Sequence, residues 1–276
     1  MTGIPQLDIA HLQRLLHPLR VGRHIRHETV CASTNDLAHA MLEGGAPSGT
    51  VVVAEEQTAG RGRFQRAWKS EAGQNLLFTV IVRWPRDGFA PTWLTLAAAL
   101  SVRQAVEELF HLSPKIKWPN DVVLTLGDGV QKLAGVLTEA TTLGPREQGA
   151  VVGVGLNVNQ VWMPHDQDPE RPRVSLASAL GRRIDREPLL AGCLASFDEH
   201  LTNLSKGHTG DLVAEAQRHL TGIGRAAHVR LPNRSWRGIL VGIDRDYHLL
   251  LRDEHGEPHC ISAGEVLFGS QDLRGG

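Results

Sequence analysis

The sequence predicts an α+β fold, with a mixed β-sheet packed with helices over residues 1–221 and a small β-barrel over residues 222–276. Three observations predict it. Apolar strand-like segments alternate with helical ones in the first part, and some of these strands are paired in a hairpin. From Gly224 onward, short strands separated by turn residues replace that pattern.

The elements of the first part follow in chain order. Strands are expected at 27–30 and 50–56, around a short helix from Asp36 to Glu43 that the Gly44-Gly45 pair ends. A long buried strand is expected at 75–84, an Ala- and Leu-rich amphipathic helix at 92–110, a hairpin at 122–140 around Gly-Asp-Gly, and a further strand at 150–159. A Pro- and Asp-rich loop comes next, and helices continue to about residue 220. Helices that alternate with hairpins indicate a mixed sheet.

The C-terminal part contains four segments with strand character. They are AAHVRL, SWRGILVGID, YHLLLRD and PHCISAGEVLF, at 226–231, 235–244, 247–253 and 258–268. Short strands at this spacing, separated by turn residues, predict a small barrel.

Composition excludes several classes of protein. The 276 residues include 29 Lys and Arg against 30 Asp and Glu, a formal net charge of -1, so we expect neither a DNA partner nor a membrane partner. The longest apolar stretch, WLTLAAALSV at 93–102, is too short to cross a bilayer. The three cysteines, Cys31, Cys193 and Cys260, lie far apart without a C-x-x-C motif, which favours a reduced, cytoplasmic protein.

One segment concentrates positive charge. GRGRFQRAWK, residues 60–69, holds three arginines and a lysine and no acidic residue. Such a run is commonly a solvated turn. Gly60 and Gly62, however, let backbone N–H groups approach a ligand, so main chain and guanidinium groups together can hold phosphate or carboxylate oxygens.

Other motifs have simple structural explanations. GGAPSGT (44–50) lacks the lysine of a P-loop, and GVGLNVN (153–159) lacks the third glycine and the helix of a dinucleotide fold, so its glycines indicate close packing. KIKWPND (115–121) fits a strand that ends in a turn with an exposed lysine, and STND (33–36) is an N-cap signature. Both segments can also present polar groups to a ligand.

Histidines near cysteines raise the question of a metal. The two candidate sets are His24, His27 and Cys31, and His255, His259 and Cys260. Neither set has the four-ligand spacing of a structural zinc site, so no metal site is expected.

The order of these motifs resembles a known family. STN (33–35), EEQTAGRGR with RAW (55–63 and 66–68), KWPND (117–121), KLAG (132–135), GVGLNVN (153–159) and a C-terminal GILVGID…ISAGEVLF together resemble the biotin protein ligases, over roughly residues 24–268. The resemblance implies a class II synthetase-like core with an SH3-like barrel. Only 32 residues precede Ser33, so the form without an N-terminal DNA-binding domain is expected.

The resemblance also implies an activity. Members activate biotin with ATP and Mg²⁺ to biotinyl-5'-AMP, and transfer the biotinyl group to a lysine of a biotin carboxyl carrier protein of acetyl-CoA carboxylase or a related carboxylase. The number of subunits is left open, with a homodimer one alternative. Two other functions stay open: a lipoate ligase or acyltransferase of the same superfamily, and a non-catalytic biotin sensor.

The resemblance assigns site residues one by one. Biotin would contact Ser33, Thr34, Asn35, Gln57, Arg61, Gly62, Arg63 and Lys117, with Lys117 and Arg63 as catalytic residues. The adenylate would contact Arg63, Arg66, Trp68, Lys132 and Asn157. The family pattern G-R-G-R-x-G-R-x-W differs here at one position, because Gln65 replaces the third glycine. The placement of Arg66 is therefore an open question.

Overall fold

The computed structural model describes residues 6–16, 19–85, 88–127, 129–143, 145 and 147–268. The helices are α1 (Ile9–Leu16), α2 (Thr34–Glu43), α3 (Thr92–Phe110), α4 (Leu176–Leu180), α5 (Arg186–Ser205) and α6 (Thr209–His219). The strands are β1 (Ile25–Cys31), β2 (Val51–Gln57), β3 (Leu76–Pro85), β4 (Lys115–Lys117), β5 (Asp121–Leu126), β6 (Gly129–Thr142), β7 (Glu147–Leu156), β8 (Ala226–Leu231), β9 (Arg234–Ile243), β10 (Leu249–Arg252), β11 (Pro258–Ile261) and β12 (Glu265–Leu267).

The first seven strands form one mixed sheet, as expected. Its order is β1-β2-β3-β7-β6-β5-β4. The β1–β2 pair is parallel, and the other neighbours are antiparallel. The expected hairpin is β5–β6, although Asp128 of its Gly-Asp-Gly turn lies outside the described residues.

Helices cover both faces of the sheet's centre. Val52 and Ile81 pack with α2 on one face, whereas Val51 and Val80 belong to the larger core that includes α3 and α5. Strands that are buried on both faces have continuous apolar sequences rather than alternating ones. This explains the uninterrupted LLFTVIV of β3.

The helix α1 is absent from the sequence-based assignments. It has only 8 residues, and it buries Leu12 and Leu16, one helical turn apart, against α5. Just before it, the backbone N–H of Leu7 donates to Glu55 Oε1 at 2.7 Å. Glu55 is fully buried and pairs with Arg186 of α5 at 2.6 Å. The Glu55 carboxylate of β2 thus binds both the segment before α1 and the first residue of α5.

The last five strands form an antiparallel sheet with the order β11-β10-β9-β8-β12. Three of the four expected strand segments correspond to β8, β9 and β10. The fourth, 258–268, divides into β11 and β12, which lie at opposite ends of the strand order. Gly264, with φ +148°, stands directly before β12, where the chain has crossed to the other end. Residues 269–276 of the expected C-terminal unit lie outside the described residues.

Hydrogen bonds connect this sheet with the first part. Trp118 Nε1 donates to the backbone oxygen of Tyr247 at 2.9 Å, and Tyr247 Oη donates to that of Pro119 at 3.0 Å. Tyr247 is buried and lies in the turn between β9 and β10. The segment after β4 therefore rests on the C-terminal sheet.

Among the described helices, none combines the length and apolar character needed to cross a membrane.

Candidate active site

A cavity of about 410 Å³ opens between the mixed sheet, the basic loop and β12. All twelve residues that the resemblance assigned to biotin or the adenylate contribute to its lining: Ser33, Thr34, Asn35, Gln57, Arg61, Gly62, Arg63, Arg66, Trp68, Lys117, Lys132 and Asn157. The lining includes eight Lys and Arg side chains against three Asp and Glu side chains. The cavity therefore suits an anionic ligand.

One end of the cavity is a hydrogen-bond network around the start of α2. The backbone N–H and the hydroxyl of Thr34 both donate to Gln57 Oε1, at 2.7 and 3.0 Å. Thr79 Oγ1 lies 2.8 Å from Thr34 Oγ1 and 2.7 Å from Asn35 Oδ1, and Asn35 Nδ2 donates to Glu139 at 2.6 Å. The helix begins at Thr34, two residues earlier than expected, so Thr34 and Asn35 are helical rather than caps.

The paired glycines of β7 form part of the floor of this site. A Cβ at Gly153 would lie 2.1 Å from Asn35 Oδ1, and a Cβ at Gly155 would lie 2.4 Å from the Trp68 ring. Both distances are too short for non-bonded heavy atoms. The glycines therefore do allow close packing, but against two cavity side chains rather than against a neighbouring strand.

The basic loop forms a tight turn over the cavity. The backbone N–H of Gly62 donates to Arg66 O at 2.7 Å, and that of Trp68 donates to Gly60 O at 2.9 Å. The guanidinium of Arg61 donates two hydrogen bonds to the carboxylate of Asp36 in α2. Arg61 thus lines the cavity while it anchors the loop to α2.

The other two arginines of the loop contact the C-terminal sheet. Arg63 Nη1 donates to Gly264 O at 3.0 Å and to Asn120 Oδ1 at 3.3 Å. Arg66 and Arg171 both bind the carboxylate of Glu265. Burial alone would raise the pKa of Glu265, but hydrogen bonds from the two arginines outweigh it and hold the pKa at about 2. Glu265 therefore stays ionised and holds the loop to β12.

The residue that departs from the family pattern has a strained backbone. Phe64 and Gln65 have φ values of +56° and +59°, in the left-handed region that favours glycine. Despite this, Arg66 reaches Glu265 and lines the cavity. The Gln65 replacement thus leaves the loop closed, at a cost in backbone strain.

We expect Gln65→Gly to stabilise the folded protein by about 0.5–1 kcal/mol. A residue with a Cβ in the left-handed region destabilises the folded state by about 1–2 kcal/mol, and glycine removes this strain. Glycine also has more conformational freedom in the unfolded chain, which lowers the gain in stability by about 0.4–1 kcal/mol. Urea unfolding measures the difference. The control is Gln65→Ala, which also removes the exposed amide but keeps the Cβ, and equal stability of the two variants would contradict this explanation.

Lys117 differs from Lys132, the other lysine carried by a strand of the cavity. Lys132 Nζ pairs with Asp121 at 2.6 Å, whereas Lys117 has no such carboxylate partner among the described residues. Burial lowers the pKa of Lys117, with Asp121 and Glu265 acting in the opposite direction. Its Nζ lies 5.8 Å from the centre of the Phe268 ring, and a half-buried ammonium without a carboxylate partner is available to an incoming anion.

Aromatic and amide groups complete the site. Trp68 lies beneath the loop, and its buried Nε1 has no hydrogen-bond partner among the described residues. Trp118 also lines the cavity; its ring is buried, and its Nε1 donates to Tyr247 O. Asn157 Nδ2 donates to Lys132 O at 3.2 Å, which joins β7 to the strand that carries Lys132.

Several groups that line the cavity or support its side chains are missing from the sequence-based set. Thr79 and Glu139 support Asn35, and Arg171 and Glu265 hold the loop, as described above. Glu265 pairs with Arg66 across 199 positions of sequence, so no local pattern marks the contact. Arg171 belongs to the Pro- and Asp-rich loop, where a single arginine carries no distinctive signal.

The two histidine sets considered from sequence are engaged elsewhere. His27 pairs with the buried Glu55 at 2.8 Å, and His259 pairs with Asp253 at 2.8 Å. Within the described residues, neither set forms a cluster of metal ligands.

Comparisons with known proteins identify the family of the chain. Residues 28–157 match the Biotin/lipoate A/B protein ligase family. The chain is 34% identical, over 243 residues, to the biotin--[acetyl-CoA-carboxylase] ligase of Mycobacterium tuberculosis, covering 85% of each protein. It is 33% identical, over 245 residues, to the bifunctional ligase/repressor BirA of Bacillus subtilis, covering 88% of this chain and 74% of that protein.

A solved structure shows the same fold. The biotin protein ligase from Aquifex aeolicus in complex with biotin and ATP superposes with a TM-score of 0.74 at 27% identity. The superposition covers 88% of this chain and 97% of that one. The fold of the chain, with its mixed sheet and C-terminal antiparallel sheet, is thus shared with a biotin protein ligase over nearly the whole of that structure. The chain therefore belongs to the biotin protein ligases of the biotin/lipoate A/B protein ligase family.

Proposed function

We propose that this protein is an ATP-dependent biotin protein ligase, which makes biotinyl-5'-AMP and transfers the biotinyl group to a lysine of a biotin carboxyl carrier protein. One observation carries the proposal. A single cavity joins a polar end suited to an uncharged, hydrogen-bonding ring with a cationic end suited to a carboxylate and a triphosphate. The family relationship supports the same assignment.

The polar end is the proposed biotin site. A ureido ring offers two N–H donors and one carbonyl acceptor. Ser33, Thr34, Asn35 and Gln57 surround this end with hydroxyl and amide groups, and Thr79 and Glu139 hold Asn35 in place. Side chains fixed by a supporting network lose little entropy when a ligand binds. We therefore assign recognition of the ring to these four residues.

The cationic end is the proposed site of activation. A carboxylate oxygen of biotin attacks the α-phosphorus of ATP, and pyrophosphate leaves with the electrons of the broken P–O bond. This step brings two anions together, so fixed positive charge must offset their repulsion. We assign that role to Lys117, which has no ion-pair partner among the described residues, with Arg63, Arg66 and Lys132 around the phosphates.

Transfer to the carrier completes the reaction. The amine of the carrier lysine attacks the acyl carbon of the adenylate, AMP leaves, and the amine loses a proton. The loop closed by Arg63 and Arg66 would shield the adenylate from water before that attack.

The proposed carrier belongs to acetyl-CoA carboxylase or a related carboxylase in the cytoplasm. We also propose that residues 1–221 form the catalytic unit and residues 222–276 a smaller one that supports the loop.

Mg²⁺ is expected to enter with ATP. The carboxylates that line the cavity, Asp121, Asp168 and Glu265, each pair with a lysine or arginine. Among the described residues, no group of three or more metal-ligating side chains lies at the cavity. These residues fit an ion held mainly by phosphate oxygens and water, which neutralises phosphate charge.

Biotin-dependent ATP–pyrophosphate exchange on the purified chain tests the first half-reaction. Exchange that requires biotin supports the proposal. Exchange that requires lipoate instead would identify a lipoate ligase, and biotin binding without exchange would identify a sensor. Incorporation of biotin into a purified carrier domain then tests the transfer step separately.

We expect biotin or biotinyl-5'-AMP to protect residues 58–68 from limited proteolysis. The loop is anchored largely by ion pairs, and the pair between Arg61 and Asp36 is solvent-accessible, with 31% and 47% of the side chains exposed. Such pairs contribute about 0–1 kcal/mol each, so the loop should open often without ligand. Cleavage sites identified by mass spectrometry measure the effect. Equal cleavage with and without saturating biotin would count against ligand-induced ordering.

A further inference from the structure

A second cluster of reactive side chains lies outside the cavity, in the C-terminal sheet. Asp244 directly follows β9, His248 directly precedes β10, and Cys260 is in β11. The pairing of β10 with both β9 and β11 brings these three residues together. Their ligand atoms all lie within 4.8 Å of one another.

The distances fit a small tetrahedral ion. Asp244 Oδ2 lies 3.1 Å from His248 Nδ1 and 3.4 Å from Cys260 Sγ. Metal–ligand bonds of about 2.0–2.3 Å, at tetrahedral angles, place neighbouring ligand atoms about 3.3–3.7 Å apart. The two distances from Asp244 Oδ2 are within a few tenths of an ångström of these values, and His248 Nδ1 and Cys260 Sγ lie within 4.8 Å of each other, so a small rotation of either side chain brings the three atoms around one ion.

The carboxylate of Asp244 is already oriented for this role. Its Oδ1 accepts hydrogen bonds from the backbone N–H groups of Asp246 and His248, at 2.9 and 2.8 Å. The backbone N–H groups of the turn bind only Oδ1. The other carboxylate oxygen, Oδ2, faces the imidazole of His248 and the thiol of Cys260. The hydrogen bonds to Oδ1 thus orient Oδ2 as a metal ligand.

We propose that Asp244, His248 and Cys260 bind a divalent ion of the zinc class, with a fourth position open to water. A thiolate, an imidazole and a carboxylate are a ligand set that Zn²⁺ and Co²⁺ accept, whereas Mg²⁺ and Ca²⁺ prefer oxygen ligands alone. On binding, the ion replaces the proton of the Cys260 thiol, and that proton goes to solvent. No electron is transferred. The site does not depend on the proposed ligase activity.

A bound ion would also stabilise the turn that supports the Lys117 segment. The turn from Asp244 to His248 includes Tyr247, which hydrogen-bonds Trp118 Nε1 and Pro119 O next to Lys117. An ion that joins the turn to β11 would hold this support of the Lys117 segment in place. We therefore expect metal to slow hydrogen exchange of the amides at 244–248.

Co²⁺ titration of the untagged, reduced protein tests the site. We expect one equivalent of Co²⁺ to produce thiolate-to-cobalt charge-transfer absorption, which Zn²⁺ displaces. Cys260→Ser should abolish that absorption, and His248→Gln should weaken binding by more than the 10- to 100-fold that loss of a supporting outer group typically causes. The matched controls are Cys31→Ser and His255→Gln, which should bind as wild type.

Each alternative outcome is decisive. Absence of charge-transfer absorption at stoichiometric Co²⁺ would overturn the proposal, as would absorption that survives Cys260→Ser or disappears in Cys31→Ser. Zn²⁺ should also protect Cys260 of the folded wild type from a maleimide reagent. Unchanged labelling of Cys260 under saturating Zn²⁺ would be a second, independent refutation. Unchanged exchange at 244–248 would refute the structural role.

Discussion

Replacement of Lys117 by alanine is expected to slow formation of biotinyl-5'-AMP by about two to three orders of magnitude, the usual cost of losing one preorganised charge-stabilising group. The expectation rests on the state of its ammonium. Arg66 and Arg171 share Glu265, and Lys132 pairs with Asp121, so their charges are partly neutralised within the protein. Lys117 lacks such a partner among the described residues, so its charge is not neutralised by a carboxylate and is available to the reacting phosphate.

The same environment predicts that the variant still folds. Burial lowers the pKa of Lys117, which means that the charged ammonium is less stable in the folded protein than in water. A group whose pKa is lower in the folded state than in the unfolded state opposes folding while it is protonated, and stability rises as pH increases through the folded pKa. Lys117→Ala removes this unfavourable burial of charge, so we expect a free energy of unfolding no lower than that of wild type near neutral pH.

Biotin-dependent ATP–pyrophosphate exchange measures the effect on the chemistry. The matched control is Lys115→Ala, since Lys115 lies on the same strand two residues earlier but does not line the cavity. We expect Lys115→Ala to retain wild-type exchange. Near wild-type exchange in Lys117→Ala, or an equal loss in both variants, would remove Lys117 from the proposed role.

Strong local patterns made much of the fold predictable. The apolar run of β3 and the Ala- and Leu-rich α3 were placed within one residue at each end, because both are long and buried. The helix α1 is missing from the prediction although its buried Leu12 and Leu16 have helical spacing, because a pattern of only 8 residues is short. The sequence predicts one strand at 258–268, because only the pairing with β10 and β8 shows where that segment divides.

The candidate site was predictable only where its residues form motifs. The motif residues came together in one cavity because β2, β4, β6 and β7 and the start of α2 all border it. The residues that hold the motifs in position, Thr79, Glu139 and Glu265, were not found. Each is a common residue type in an ordinary strand, and its role arises from a contact more than 40 residues away.

Arg63→Gly is expected to form biotinyl-5'-AMP but to release it, so that unrelated proteins become biotinylated. A mixed anhydride is safe only while water and stray amines are excluded. Arg63 joins the basic loop to the C-terminal sheet through Gly264 O and also binds Asn120. The substitution removes that guanidinium and adds backbone freedom, which weakens closure more than it weakens activation. Loss of one hydrogen bond from a charged donor costs about 1.5–3 kcal/mol, so escape should be about 10- to 100-fold faster.

Arg61→Gly is the matched control, because it removes an equal charge and adds the same freedom. The guanidinium of Arg61 binds Asp36 of α2 rather than the C-terminal sheet, so the contact between loop and sheet survives in that variant. The measurement is biotin incorporation into serum albumin, compared at equal ATP turnover for wild type and both variants. If contact with the sheet retains the adenylate, Arg63→Gly labels albumin much faster than Arg61→Gly does. If the two variants label it equally, general loop flexibility governs release, and if neither exceeds wild type, Arg63 does not retain the intermediate.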